Sequence, residues 1–151
     1  METKRFVKYY QSNPHFRIEN PNPRWEKQRG MIWKTGDCCV RALANAIGCS
    51  WLDAFDYLTA KARRDYAVVN DGVFFRNWLI EDGAIWHHCK AEKGKKRMTV
   101  LEFAEQHPVG RYVLKVANHE CGCVDGVVLD AWNPGAMAVV GYLDMTSFNL
   151  K

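Results

Sequence analysis

Asp125-Gly126 stands between two short runs, HECGCV and VVLDAW, both built largely from β-branched, aromatic and cysteine residues. Asp-Gly accepts the two consecutive positive φ angles that a two-residue hairpin turn demands. The pair therefore predicts an antiparallel hairpin and fixes its register. With Val124 opposite Val127, His119 falls opposite Trp132 and Cys121 opposite Asp130. Side chains alternate faces along a strand, so His119 and Asp130 become diagonal neighbours with Cα atoms roughly 7–8 Å apart. An imidazole and a carboxylate can meet across that gap, with Trp132 beside them to exclude water. Such a carboxylate holds one ring nitrogen and leaves the other to take a proton from a nucleophile. A half-buried histidine with an incidental acidic neighbour fits the same pattern.

The residues before Gly110 read as helical. Val40, Leu43, Ala44 and Ile47 recur at i, i+3, i+4 and i+7, with Asp37 as the expected N-cap and Gly48 as the stop. Ser50 is expected to cap a second helix through WLDAFDYLTAKARR, and Asp71 a third over VFFRNWLIEDG, ended by Gly83. MTVLEFAEQH carries Thr99 and Glu102 at capping-box spacing and predicts a short fourth helix. Beyond Gly110, RYVLKVA, HECGCV, VVLDAW and AMAVVGYL read as strands. Helices first and strands later predict an α+β domain with an antiparallel sheet. Residues 1–30, rich in Asn, Pro and Arg, read as an irregular arm pinned by Phe16 and Trp25, with the folded domain over residues 31–151.

Two adjacent cysteines, Cys38 and Cys39, open the first helix. Unsatisfied N–H groups at a helix start favour thiolate over thiol. Cys38 projects nearly opposite the apolar stripe, whereas Cys39 lies at the edge of the packed side. Cys38 is thus the candidate nucleophile and Cys39 the packing residue, although most cysteines are small buried hydrophobes.

GDCCVRALANAIG followed by SWLDAFDYL, and then MTVLEFAEQHPVGRYVLKVANHECGCVDGVVLDAW, resembles the papain-like cysteine peptidases. The likeness is to their small phage- and prophage-associated branch and covers roughly residues 36 to 142. It implies a papain-like fold in which the nucleophile helix precedes the sheet. It also implies a Cys38–His119–Asp130 triad acting on a protein or peptide substrate, with the Cys38 backbone N–H as an oxyanion donor and Trp132 shielding the His–acid contact. The family's second donor is a Gln shortly before the nucleophile. Ile32 stands at that position here, Gln28 lies further upstream, and Lys34 and Thr35 are the nearby polar substitutes. Asp37 would support the site, and Arg41 would contact either a substrate carboxylate or a structural partner. Acyltransferases and deamidases use the same thioester and differ in what attacks it next. A phage-associated binding protein that keeps the fold without catalysis is the reading outside enzymes.

Other chemistries fit less well. His119, Cys121 and Cys123 form H-x-C-x-C, but residues two apart on a strand are about 6.8 Å apart, too far for one zinc ion to gather all three. No metal or other cofactor is expected. Lys93, Lys95, Lys96 and Arg97 concentrate the net charge of +4 and are the nucleic-acid candidate, although a basic turn before a helix is commonly solvated surface. No apolar run is long enough to span a membrane. Six cysteines without an export signal predict free thiols in a reducing cytoplasm, which the resemblance would make that of a phage-infected or lysogenic bacterial host.

Overall fold

A computed structural model of the chain describes residues 13–24 and 36–150, and these form an α+β arrangement with four helices and a mixed six-stranded sheet. Trp25, Gln28, Ile32, Lys34 and Thr35 lie outside the described residues. In chain order the elements are β1 (Phe16–Ile18), α1 (Cys38–Ile47), α2 (Trp51–Asp65), α3 (Gly72–Glu81), β2 (Ile85–His88), α4 (Val100–Gln106), β3 (Arg111–Val116), β4 (His119–Val124), β5 (Val127–Asp130) and β6 (Gly141–Asp144). The sheet order is β1-β5-β4-β3-β6-β2.

The expected hairpin forms. Asp125 and Gly126 adopt φ of 48° and 78°, and Val124, Cys123 and Gly122 pair with Val127, Val128 and Leu129. Three local caps also form: the Ser50, Asp71 and Thr99 side chains accept backbone N–H bonds at the starts of α2, α3 and α4. No helix among the described residues is long and apolar enough to cross a membrane. All six cysteines are free thiols.

The sheet differs from the expected purely antiparallel one. Phe16–Ile18 leaves the supposedly irregular arm to pair in parallel with β5, where Ile18 lies opposite Asp130. The Glu19 N–H then donates to the Asp130 carbonyl at 2.9 Å. The arm therefore covers the exposed edge of the strand that carries Asp130, which explains why a polar segment without period-two alternation becomes a strand. At the far edge, β2 pairs with β6. The strand expected over AMAVVGYL begins only at Gly141.

The core forms two layers. Helices α1, α2 and α3 bury Leu43, Leu58, Phe75 and Trp78 against Val113 and Leu143. On the opposite face, α4 buries Phe103 and Val100 against Leu114, Cys121, Cys123 and Val128. α1 lies directly on β4, and Gly122 permits the contact. A Cβ there would sit 3.0 Å from the Asn45 Cβ and 3.1 Å from the Ala46 nitrogen. This close seating sets the first turn of α1 beside the start of β4, next to His119 and Glu120.

Candidate active site

The site is built on the first turn of α1. Cys38 is the first helical residue, half-buried, and its backbone N–H falls among those with no intrahelical acceptor. Asp37 occupies the N-cap position, but its carboxylate makes no cap hydrogen bond, contrary to expectation. It binds other side chains instead: Arg41 one turn along the helix, the Asn22 amide at 2.8 Å and the Trp51 indole N–H at 3.0 Å. Asn70, in the loop between α2 and α3, takes over the cap. Its Oδ1 accepts the Cys39 N–H at 2.9 Å and lies 3.5 Å from the Cys38 sulfur.

His119 and Asp130 meet as the hairpin register requires, with His119 Nε2 2.6 Å from Asp130 Oδ2. The Trp132 ring lies 4.6 Å from the His119 ring, centroid to centroid. Asp130 Oδ1 accepts the Ala131 N–H at 2.7 Å and faces the Arg41 guanidinium at 3.6 Å. With Nε2 committed to Asp130, Nδ1 is the ring nitrogen left for Cys38, and the two side chains are close enough that each favours the charged form of the other. Burial opposes the charged ring, but the bonds to Asp130 and Cys38 outweigh it and raise the His119 pKa to about 9.

Arg41 is 6% exposed and bridges Asp37 to Asp130. This bridge ties the start of the nucleophile helix to the strand that orients the imidazole.

Glu120 also belongs to the site, and nothing around it in the sequence marks it. It is buried, with Oε2 3.4 Å from the Cys38 sulfur and 3.5 Å from the Cys39 sulfur, while Oε1 accepts from Lys115 Nζ at 2.8 Å. Burial raises its pKa, with Lys115 opposing. Cys39 is also more than packing. The Cys39 thiol lies beside the Cys38 sulfur and Glu120 Oε2, where it favours the Cys38 thiolate while the contact with Cys38 and burial hold Cys39 itself protonated. Burial works against the Cys38 thiolate, whereas His119 and the Glu120 backbone N–H add to Cys39 in lowering its pKa.

These bonds make a testable distinction. A hydrogen bond to a charged group contributes about 1.5–3 kcal/mol, so Cys39→Ala is expected to move the Cys38 titration upward by about one to two pH units. Cys39→Ser, which keeps a donor, is expected to stay near the parent. The rate of Cys38 alkylation by iodoacetamide across pH reads both.

Cys38, Cys39 and Glu120 also offer ligand atoms within 4.8 Å of one another. An ion there would have to strip the proton that Cys39 holds and compete with Lys115 for Glu120. The H-x-C-x-C residues do not gather, because Cys121 and Cys123 are core residues packed under α4. The basic stretch lies in the loop between β2 and α4, where Lys93, Lys95 and Lys96 are exposed and Lys95 pairs with Glu92 at 3.0 Å.

Two depressions are lined by residues that contact the cysteine, Glu120 in one and Asn70 in the other. A cavity of about 280 Å³ is lined by Phe75, Trp86, Val113, Lys115 and Glu120. A wider groove of about 740 Å³ is lined by Asp37, Val40, Trp51, Phe55 and Asn70. No protein-family model, curated protein or solved structure matches this chain.

Proposed function

We propose that the chain is a thiol hydrolase of papain-like architecture, a peptidase or isopeptidase working through a thioester on Cys38. The observation that carries this reading is the convergence of three side chains at the start of α1: Asp130 holds His119 Nε2 at 2.6 Å, which leaves the other ring nitrogen to serve Cys38. The depressed Cys38 and raised His119 pKa values support a thiolate–imidazolium pair at neutral pH. The likeness to the phage-associated branch supports a role in an infected or lysogenic bacterial host.

In the first half-reaction the Cys38 sulfur attacks the acyl carbon, and the carbonyl π pair moves onto oxygen. The backbone N–H of Cys38 donates to that oxyanion. Collapse breaks the bond to the amine, which leaves with the proton from His119 Nδ1. Water then attacks the thioester while His119 takes its proton, and the carboxylic acid departs as Cys38 is regenerated. Asp130 keeps the ring in the required tautomer throughout. The cavity that reaches Glu120 and the groove that reaches Asn70 offer room for the two halves of an extended substrate.

The pH profile follows from these roles. His119 must be protonated to expel an amine, so peptide hydrolysis is expected to hold through neutral pH. It is then expected to fall as pH rises through about 9. Cleavage of a mixed peptide library, followed by mass spectrometry across pH, measures this. Cleavage that persists in Cys38→Ala, or that falls away near the ordinary imidazole value of about 6.5, would contradict the assignment.

A further inference from the structure

The Cys38 backbone N–H supplies one oxyanion donor, and a second is needed. A tetrahedral oxyanion is commonly held by two donors, and losing one costs about 10²–10³ in turnover. The family's Gln position is occupied by Ile32. Asn70 lies in the right neighbourhood. Its carboxamide touches the Cys38 sulfur through Oδ1 at 3.5 Å and lines the groove beside Asp37. The orientation of that amide is fixed by chemistry. Oδ1 must face the Cys39 N–H, since a flipped amide would set two donors against each other. Nδ2 is thereby turned away from the helix backbone, and it donates to no acceptor among the described residues.

We propose that Asn70 is a catalytic residue whose Nδ2 donates the second hydrogen bond to the oxyanion formed at Cys38. The inference rests on the thiol-hydrolase reading above. As the sulfur–carbon bond forms, the carbonyl oxygen gains the electron pair beside the Cys38 N–H. The Asn70 amide supplies an N–H on the neighbouring side. The same carboxamide thus caps the nucleophile helix with its oxygen and stabilises the transition state with its nitrogen. Asn70 lies well after the nucleophile in the chain rather than before it, and it can take this role because the loop before α3 folds over the first turn of α1.

Two reactions of Cys38 separate this role from a structural one. Acylation by p-nitrophenyl acetate passes through an oxyanion, whereas alkylation by iodoacetamide displaces iodide without one. The ratio of the two rate constants at one pH removes differences in thiolate content. Asn70→Asp keeps the oxygen that caps Cys39 and deletes the donor; Asn70→Ala deletes both. The ratio is expected to fall about 10²–10³-fold in each, with alkylation still confined to Cys38. An unchanged ratio in both variants, or a fall produced by Gln28→Ala instead, would overturn the donor role while leaving the function standing. Parent acylation that does not depend on Cys38 would overturn the function and the donor role together.

Discussion

Cys38→Ala is expected to abolish both ester acylation and electrophilic labelling, with a loss of turnover on the order of 10⁶, the scale seen when a triad loses its nucleophile. Cys38→Ser is expected to be nearly as inert. The bonds from Cys39, His119 and the Glu120 N–H are matched to a thiolate, and a serine hydroxyl titrates far too high for them to hold as an alkoxide. Neither change should cost much stability, because Cys38 is only half-buried and lies at the end of α1 rather than in either core layer. Mass spectrometry of the labelled protein identifies the modified cysteine directly. Labelling that moves to Cys49 or Cys89, or persists undiminished in Cys38→Ala, would mean that the reactive thiol is elsewhere.

The second large effect is on folding. Arg41 is buried between two carboxylates, those of Asp37 and Asp130, themselves buried. Taking one partner from such a group leaves charge in a low-dielectric interior, which costs about 3–5 kcal/mol. Arg41→Ala leaves two carboxylates uncompensated, so a fall in melting temperature of roughly 6–20 °C is expected for a domain of this size. Arg41→Lys is expected to lie between, because an ammonium keeps the charge but cannot span both carboxylates with a planar fork. Thermal unfolding followed by circular dichroism measures the series. If Arg41→Ala unfolds within a degree or two of the parent, the bridge carries no structural weight.

Local features were the most legible in the sequence. Asp125-Gly126 set the hairpin register, and the register alone brought His119 to Asp130. Ser50, Asp71 and Thr99 each capped the helix that follows, because the bond joins residues two or three apart. Asp37 failed the same test for a physical reason. Its carboxylate found a charged partner in Arg41 one turn along the helix and distant ones in Asn22 and Trp51, and Asn70 took its place at the helix end. Glu120 was hidden because nothing in HECGCV marks an acid that will be buried against two thiols; only the seating of α1 on Gly122 creates that contact. The strand Phe16–Ile18 was equally hidden, since its pairing partner lies more than a hundred residues away.

Cys39 changed most between sequence and structure. Helix geometry separated it from Cys38 as the packing residue, and it is indeed fully buried. Yet adjacency also sets its thiol against the Cys38 sulfur, so one side chain fills the core and helps to hold the neighbouring anion.

The central claim is that Cys38 exists as a thiolate paired with protonated His119. The most direct measurement is the rate of Cys38 alkylation by iodoacetamide as a function of pH, in the parent and in His119→Ala. The pairing predicts reactive thiolate well below neutrality in the parent, and a titration that moves upward when the imidazole is removed. A parent that titrates once near 8.5, like an ordinary thiol, and is unmoved by His119→Ala would contradict it.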